Sequence, residues 1–253
     1  SRNFANKVWN ASRFIMMNLE KAEVPESFDL NTLTDADKWI LSKVNTLAKD
    51  VTDNMEKYEL GIAVQKVYDF IWEEFCDWYI EMVKPRLYHD EDTTKAAALW
   101  TLRTVLTNAL KLLHPYMPFI TEEIFCTLQP QEESIMISSW PEYRTDWAFA
   151  EEEKAVETIK EAVRGIRNVR TGMNVPPSKK AQVYVVSENA EIRSIFENGK
   201  VFFAALGYAS EVHVQADKTG ISEDAVSAVI PEAVVYMPFA ELVDIEKEIE
   251  RLK

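Results

Sequence analysis

Basic residues, cysteine, glycine and long apolar runs are all in short supply in this chain. Its 28 lysines and arginines stand against 42 acidic residues, a net charge of −14, which argues against a general nucleic-acid binder that holds its partner by broad phosphate neutralisation. Only six glycines occur; with apolar residues recurring at helical spacing through the first half, that half is expected to be mostly α. No apolar run reaches the length of a bilayer-spanning helix, and no basic leader with a small-residue cleavage site opens the sequence. A cytoplasmic protein with no membrane partner is therefore expected. Cys76 and Cys126 lie inside apolar helical stretches without close-spaced His or Cys; no zinc or other metal site is expected, and both are read as buried free thiols. A chain of 253 residues that is 47% hydrophobic can bury one large core or two smaller ones without such staples, and two domains are expected.

What is present is unevenly distributed. Between Arg164 and Lys180 stand Arg164, Arg167, Arg170, Lys179 and Lys180 with no acid, and the first nineteen residues hold three basic residues with none. Contact with RNA would be confined to such patches; a solvated basic helix end is the alternative for residues 164–180. The helical pattern is already running at Arg2, as expected of a piece of a longer chain. After an irregular stretch around Pro25, Thr34 is the predicted N-cap of a helix to about Tyr58, with Trp39, Ile40, Val44 and Leu47 inward. A third helix is expected from near Gly61 to Lys84, stopped by Pro85. It is apolar around most of its circumference, the mark of a central element. A fourth runs from about Asp92 to His114, and Pro118 suits the first position of a short fifth to Leu128. His114 reads as a capping or buried structural histidine, since no nucleophile or partner carboxylate accompanies it.

These elements make the fold class mainly α: a helical bundle over residues 1–145, then a change of character over 146–243. There a charged helix from about Ala148 to Thr171 precedes a strand (Ala181 to Val186), a broken helix (Glu188 to Leu206) and a second strand (Glu211 to Val214). A hairpin of Ala225 to Val229 with Val234 to Met237 completes a small antiparallel α+β module. Residues 244–253 place Ile245, Ile249 and Leu252 at helical intervals among Glu and Lys, as at the start of a coiled-coil arm.

Two apolar side chains sit where the helical pattern calls for polar ones. On the first helix Asn3, Lys7, Asn10 and Phe14 share one stripe at i, i+4, i+7 and i+11, beside the core stripe of Phe4, Val8, Ile15 and Leu19. An aromatic face next to amide and ammonium donors suits a flat polar ligand such as an unstacked nucleobase; an edge-of-core phenylalanine is the alternative. On the third helix the narrow polar stripe reads Glu73, Asp77, Ile80, Lys84, which strands Ile80 among charges.

The segment Asn3-Phe4-Ala5-Asn6-Lys7-Val8-Trp9-Asn10-Ala11-Ser12-Arg13-Phe14 closely resembles the opening of the helical anticodon-binding domain of bacterial valyl-tRNA synthetases. The likeness continues in order through Glu74 to Glu81, Leu113 to Glu123, Ile135 to Pro141, Arg164 to Arg170 and Val175 to Lys180, and so covers essentially the whole chain. The block around His114-Pro115-Tyr116-Met117-Pro118-Phe119 is shared with isoleucine and leucine enzymes and marks the superfamily; the opening string is what selects valine. The resemblance implies a longer parent in which separate catalytic and editing domains and a terminal coiled coil flank this stretch. The parent uses ATP and magnesium, whereas this stretch needs no cofactor. The two ATP-handling motifs of class I synthetases are absent from this sequence, so aminoacylation by this stretch alone is not expected.

Carried over by match, Lys7, Asn10 and Phe14 on the opening helix and Ile80 on the central helix fall in the family's anticodon pocket. Phe14 and Ile80 are expected to sandwich the central anticodon base, with Asn10 and Lys7 bonding to it or to the adjoining phosphate. Asn3, Arg13 and Lys84 are rim candidates. Arg164, Arg167, Arg170 and Lys179 are expected either to contact phosphate or to face the missing catalytic domain. The implied partner is the anticodon stem-loop of valine tRNA, bound by a monomer. The alternatives are the same module of an isoleucine or leucine enzyme, or a helical protein-interaction scaffold without an RNA role.

Overall fold

A computed structural model describes residues 2–243; the expected coiled-coil start at 244–253 lies outside the described residues. The chain divides into two compact units between Glu153 and Lys154, a boundary that falls inside a helix.

In the first unit α1 (Arg2–Leu19) and α2 (Asp35–Glu56) are followed by one continuous helical run made of α3 (Leu60–Asp69), an eleven-residue π-helical segment (Phe70–Ile80) and α4 (Glu81–Tyr88). Next come α5 (Lys95–Leu113) and α6 (Pro118–Leu128), with Pro118 in the first turn of α6, where its missing N–H costs nothing. Thr34 caps α2 through a reciprocal box with Asp37. Asp37 is fully buried and accepts from Tyr79 Oη at 2.6 Å and from both Nη atoms of Arg86 at 2.8 and 2.9 Å. This network corrects the expected stop at Pro85. The ring removes one backbone donor, yet Arg86, held on Asp37 and by the Thr94 side chain and carbonyl, carries the helix on to Tyr88. His114 Nδ1 lies 2.7 Å from Thr121 Oγ1, in keeping with a structural role. Cys76 is buried, but Cys126 is only half-buried, because its helix lies at the surface, where its thiol meets Glu122.

α7 (Ala150–Gly172) begins in the first unit and runs into the second. There β1 (Ala181–Val186), α8 (Ala190–Asn198), α9 (Lys200–Leu206), β2 (Ala209–Gln215), β3 (Val226–Ile230), β4 (Ala233–Met237) and the one-turn α10 (Phe239–Leu242) follow. The sheet order is β2-β1-β4-β3. β3–β4 is the expected hairpin, but β1 and β2 pair in parallel, Tyr184 opposite His213, so the sheet is mixed rather than antiparallel. The reason is the α8–α9 crossover, which brings the chain back to start β2 at the same end as β1. The break between α8 and α9 falls at Gly199, where a Cβ would stand 2.4 Å from the Ile159 side chain. No described helix is long and apolar enough to cross a membrane.

Candidate nucleic-acid interface

α1 buries Phe4, Val8, Ser12 and Ile15, which turns the adjacent stripe of Asn3, Lys7, Asn10 and Phe14 toward the central helical run. Between the two lies a cleft of about 630 Å³. Asn3, Asn6, Lys7, Asn10 and Phe14 line one wall; Trp72, Cys76, Asp77, Ile80, Glu81 and Lys84 line the other. Neighbours in sequence, Cys76 and Asp77, both reach it, as do Ile80 and Glu81. Trp72, Cys76, Ile80 and Lys84 stand four residues apart along this wall, with Asp77 and Glu81 beside them. The structure refines the reading of Ile80. It does stand among charges, since Asp77, Glu81 and Lys84 line the cleft with it, but it is buried, at 5% exposure, rather than stranded at the surface. Phe14 is half-buried opposite it.

The cations of the cleft are already engaged. Lys7 Nζ lies 2.5 Å from Asp77 Oδ1 and 4.0 Å above the Trp72 ring, and Trp72 in turn stacks on Tyr68 and Phe4. Lys84 Nζ bonds Glu81 at 2.6 Å and stands 5.8 Å from the Phe14 ring centroid. Burial pushes the Cys76 thiol up to about 12, against the pull of nearby Lys7. The cleft thus offers an aromatic face and an aliphatic face, three asparagine amides on its rim, and charges that cancel in pairs. Among the described residues no group of three or more His, Cys, Asp or Glu is placed to hold a metal ion.

Of the expected residues, Lys7, Asn10, Phe14, Ile80, Asn3 and Lys84 all line this cleft, whereas Arg13 is exposed and does not. Asn6, Trp72 and Cys76 line it as well and are not among the residues the sequence singles out. Asn6 lies three and four residues from Asn3 and Asn10 and is legible from helical spacing; Trp72 and Cys76 precede Ile80 by eight and four residues but read in the sequence as core positions of a helix apolar around most of its circumference. In the second unit Arg164 bonds Glu161 at 2.6 Å, Arg167 Nε donates to the Leu206 carbonyl at 2.9 Å, and Lys179 is half-buried. Arg170 is corrected as a phosphate contact. It is 3% exposed, its Nη2 donates to the carbonyls of Pro176 and Lys179, and its guanidinium lies 5.1 Å from the Tyr208 ring centroid. Burial depresses its pKa, and it holds the turn after α7 in place.

Residues 37–185 match the family described as the anticodon-binding domain of tRNA ligase. The chain belongs to that family. Along its whole length the domain is similar to valine–tRNA ligases: 52% identical to that of Clostridium acetobutylicum, 50% to that of Clostridium tetani, and 37% over 99% of the chain to that of Staphylococcus carnosus. The chain spans 28 to 29% of the length of these relatives.

Proposed function

We propose that this domain is the anticodon-reading portion of a valine–tRNA ligase, and that the cleft between α1 and the π-helical segment receives one unstacked base of the anticodon loop of valine tRNA. The observation that carries this reading is the placement of Phe14 and Ile80 on opposite walls of one cleft with Asn3, Asn6 and Asn10 beside them. A ring face is a stacking platform for any base, while amides discriminate base edges. Lys7, pinned by Asp77 and Trp72, is pre-positioned to bond the base or its adjoining phosphate. ATP and magnesium would serve the catalytic portion, which lies in the parent outside this chain. Supply of a charged product is then the work of that portion, with this domain choosing which tRNA is held. The test is titration of the protein with the valine anticodon stem-loop and with loops carrying a substitute at each anticodon base in turn. Loss of binding at the central base and retention at flanking stem pairs supports the reading; equal affinity for every loop, or for the isoleucine and leucine loops, defeats it.

A further inference from the structure

α1 shows a second stripe to solvent, on the side turned away from its core. Arg2, Asn6, Trp9 and Arg13 follow one another at i, i+4, i+7 and i+11, and all four are exposed. Trp9 is 43% exposed. Of the seven tryptophans in the chain, the other six each engage a hydrogen-bond, ring or electrostatic partner. Among the described residues Trp9 engages none, and its indole N–H has no acceptor. Arg2 and Arg13 likewise make no ion pair or hydrogen bond among the described residues, whereas Lys7 and Lys84 in the cleft are each matched by a carboxylate. A lone exposed apolar residue is ordinary; a bare indole on one stripe with two unpaired guanidiniums is a built arrangement of stacking face and positive charge.

Charge and continuity select the occupant. The first nineteen residues hold three basic side chains and no acid, so a phosphate backbone meets no repulsion along α1 itself. Asn6 belongs both to this stripe and to the wall of the cleft, and Asn10, next to Trp9 in sequence, lines the cleft as well. A strand with one base in the cleft therefore leaves it over Asn6 and Asn10 and arrives on the stripe. We propose that Trp9 is a second stacking platform, for a nucleotide adjoining the base held in the cleft, with Arg2 and Arg13 on the phosphates beside it. The assignment rests on the reading of the cleft as an anticodon-base site and adds a second base contact to it. Stacking on a ring tolerates any base, so Trp9 contributes affinity and the course of the strand, while the choice of base stays with the amides of the cleft.

Titration of the chain with the valine anticodon stem-loop, and with loops made abasic at one or the other neighbour of the central base, tests the assignment. Trp9→Ala is expected to weaken binding of the intact loop roughly five- to a hundredfold. It should leave affinity for one of the abasic loops unchanged, because two changes that remove the same contact do not add. Trp9→Phe should keep most of the affinity. Arg2→Gln with Arg13→Gln should lower the slope of log affinity against log salt by about 0.7 for each single-strand phosphate let go; an unchanged slope removes the arginines from the assignment. Trp9→Ala without effect on the intact loop, or with an equal loss on all three loops, overturns the inference and leaves the cleft reading standing. A lower Tm in both Trp9 variants, with affinity restored by neither, places Trp9 in the packing of the unit and overturns it too. A wild-type chain that binds none of the loops defeats the cleft reading, and the inference falls with it.

Discussion

Residues 1–153 hold fifteen basic side chains against twenty-seven acidic ones, whereas residues 154–243 hold ten against eleven. The candidate base-binding cleft lies in the strongly acidic unit, and the acid-free stretch 164–180 lies in the nearly neutral one. In the cleft, each lysine is matched by a carboxylate at 2.5 or 2.6 Å, so the wall presents shape and hydrogen bonds rather than net charge. Base contacts specify and phosphate contacts position. The two units divide these tasks if the basic stretch attracts the backbone while the cleft reads one base.

The largest expected effect tests whether the units are independent. Arg86→Met leaves the buried Asp37 carboxylate without its bidentate partner, and removal of one member of such a pair costs about 3 to 5 kcal/mol. Urea unfolding should show the helical transition moved to much lower denaturant with that of the α+β unit unmoved; a shared shift would merge the two sides of the comparison. Next in size, Phe14→Ala should weaken stem-loop binding by about 1 to 3 kcal/mol, roughly five- to a hundredfold, as the stacking platform is removed. The slope of log affinity against log salt should stay as it was, because a ring releases no counterions. Replacement of Arg164, Arg167 and Lys179 by glutamine makes the converse prediction: the salt slope falls by about 0.9 for each duplex phosphate no longer neutralised, and by about 0.7 for each single-strand phosphate. An unchanged slope assigns those residues to a protein surface instead. The smallest effect concerns Cys76. Its folded pKa of about 12 stands above the ordinary 9.0, so the folded state holds the proton more tightly than the unfolded chain. The associated stability is complete below pH 9 and is lost as pH rises from 9 toward about 12. Alkylation of Cys76 at about pH 8, below both values, should accordingly be far slower than in urea, and an equal rate would show that the cleft wall is open.

Much of this architecture is legible locally. Thr34 with Asp37 three residues on is a capping box in sequence as in space, and the strand Ala181–Val186 alternates buried and half-buried along its length. Phe14 and Ile80 both stand out in the sequence as apolar residues on polar stripes, and Asp77, Ile80 and Lys84 of the second stripe line the cleft as Asn3, Lys7, Asn10 and Phe14 of the first do, Glu73 being the one member that does not. Trp72 and Cys76 are not legible as cleft residues because this helix is apolar around most of its circumference, and the pattern does not separate a cleft-facing apolar side chain from a core one. Long-range partners are equally out of reach. Nothing near Pro85 announces that Arg86 will be held by Asp37, and nothing near Arg170 announces that carbonyls of the following turn will bury its guanidinium. The parallel pairing of β1 with β2 depends on which end of the sheet the crossover returns to, which strand composition does not encode.

The π-helical segment has a consequence for the kinds of change the cleft can tolerate. A helix wound with i to i+5 closure carries residues that an α-helix of the same length would not need, so it behaves as an insertion held in place by the fold. Substitutions within Phe70–Ile80 alter one side chain at a time. A single deletion there is absorbed as the segment relaxes toward α winding, so Glu81 and Lys84 keep their places at the cleft and Arg86 its place on Asp37, whereas a deletion between Met82 and Pro85, inside α4, turns Arg86 away from Asp37 by about 100°. Slack in the winding of Phe70–Ile80 thus lets the cleft wall lose a residue without losing the Arg86–Asp37 anchor that follows it in the same helical run.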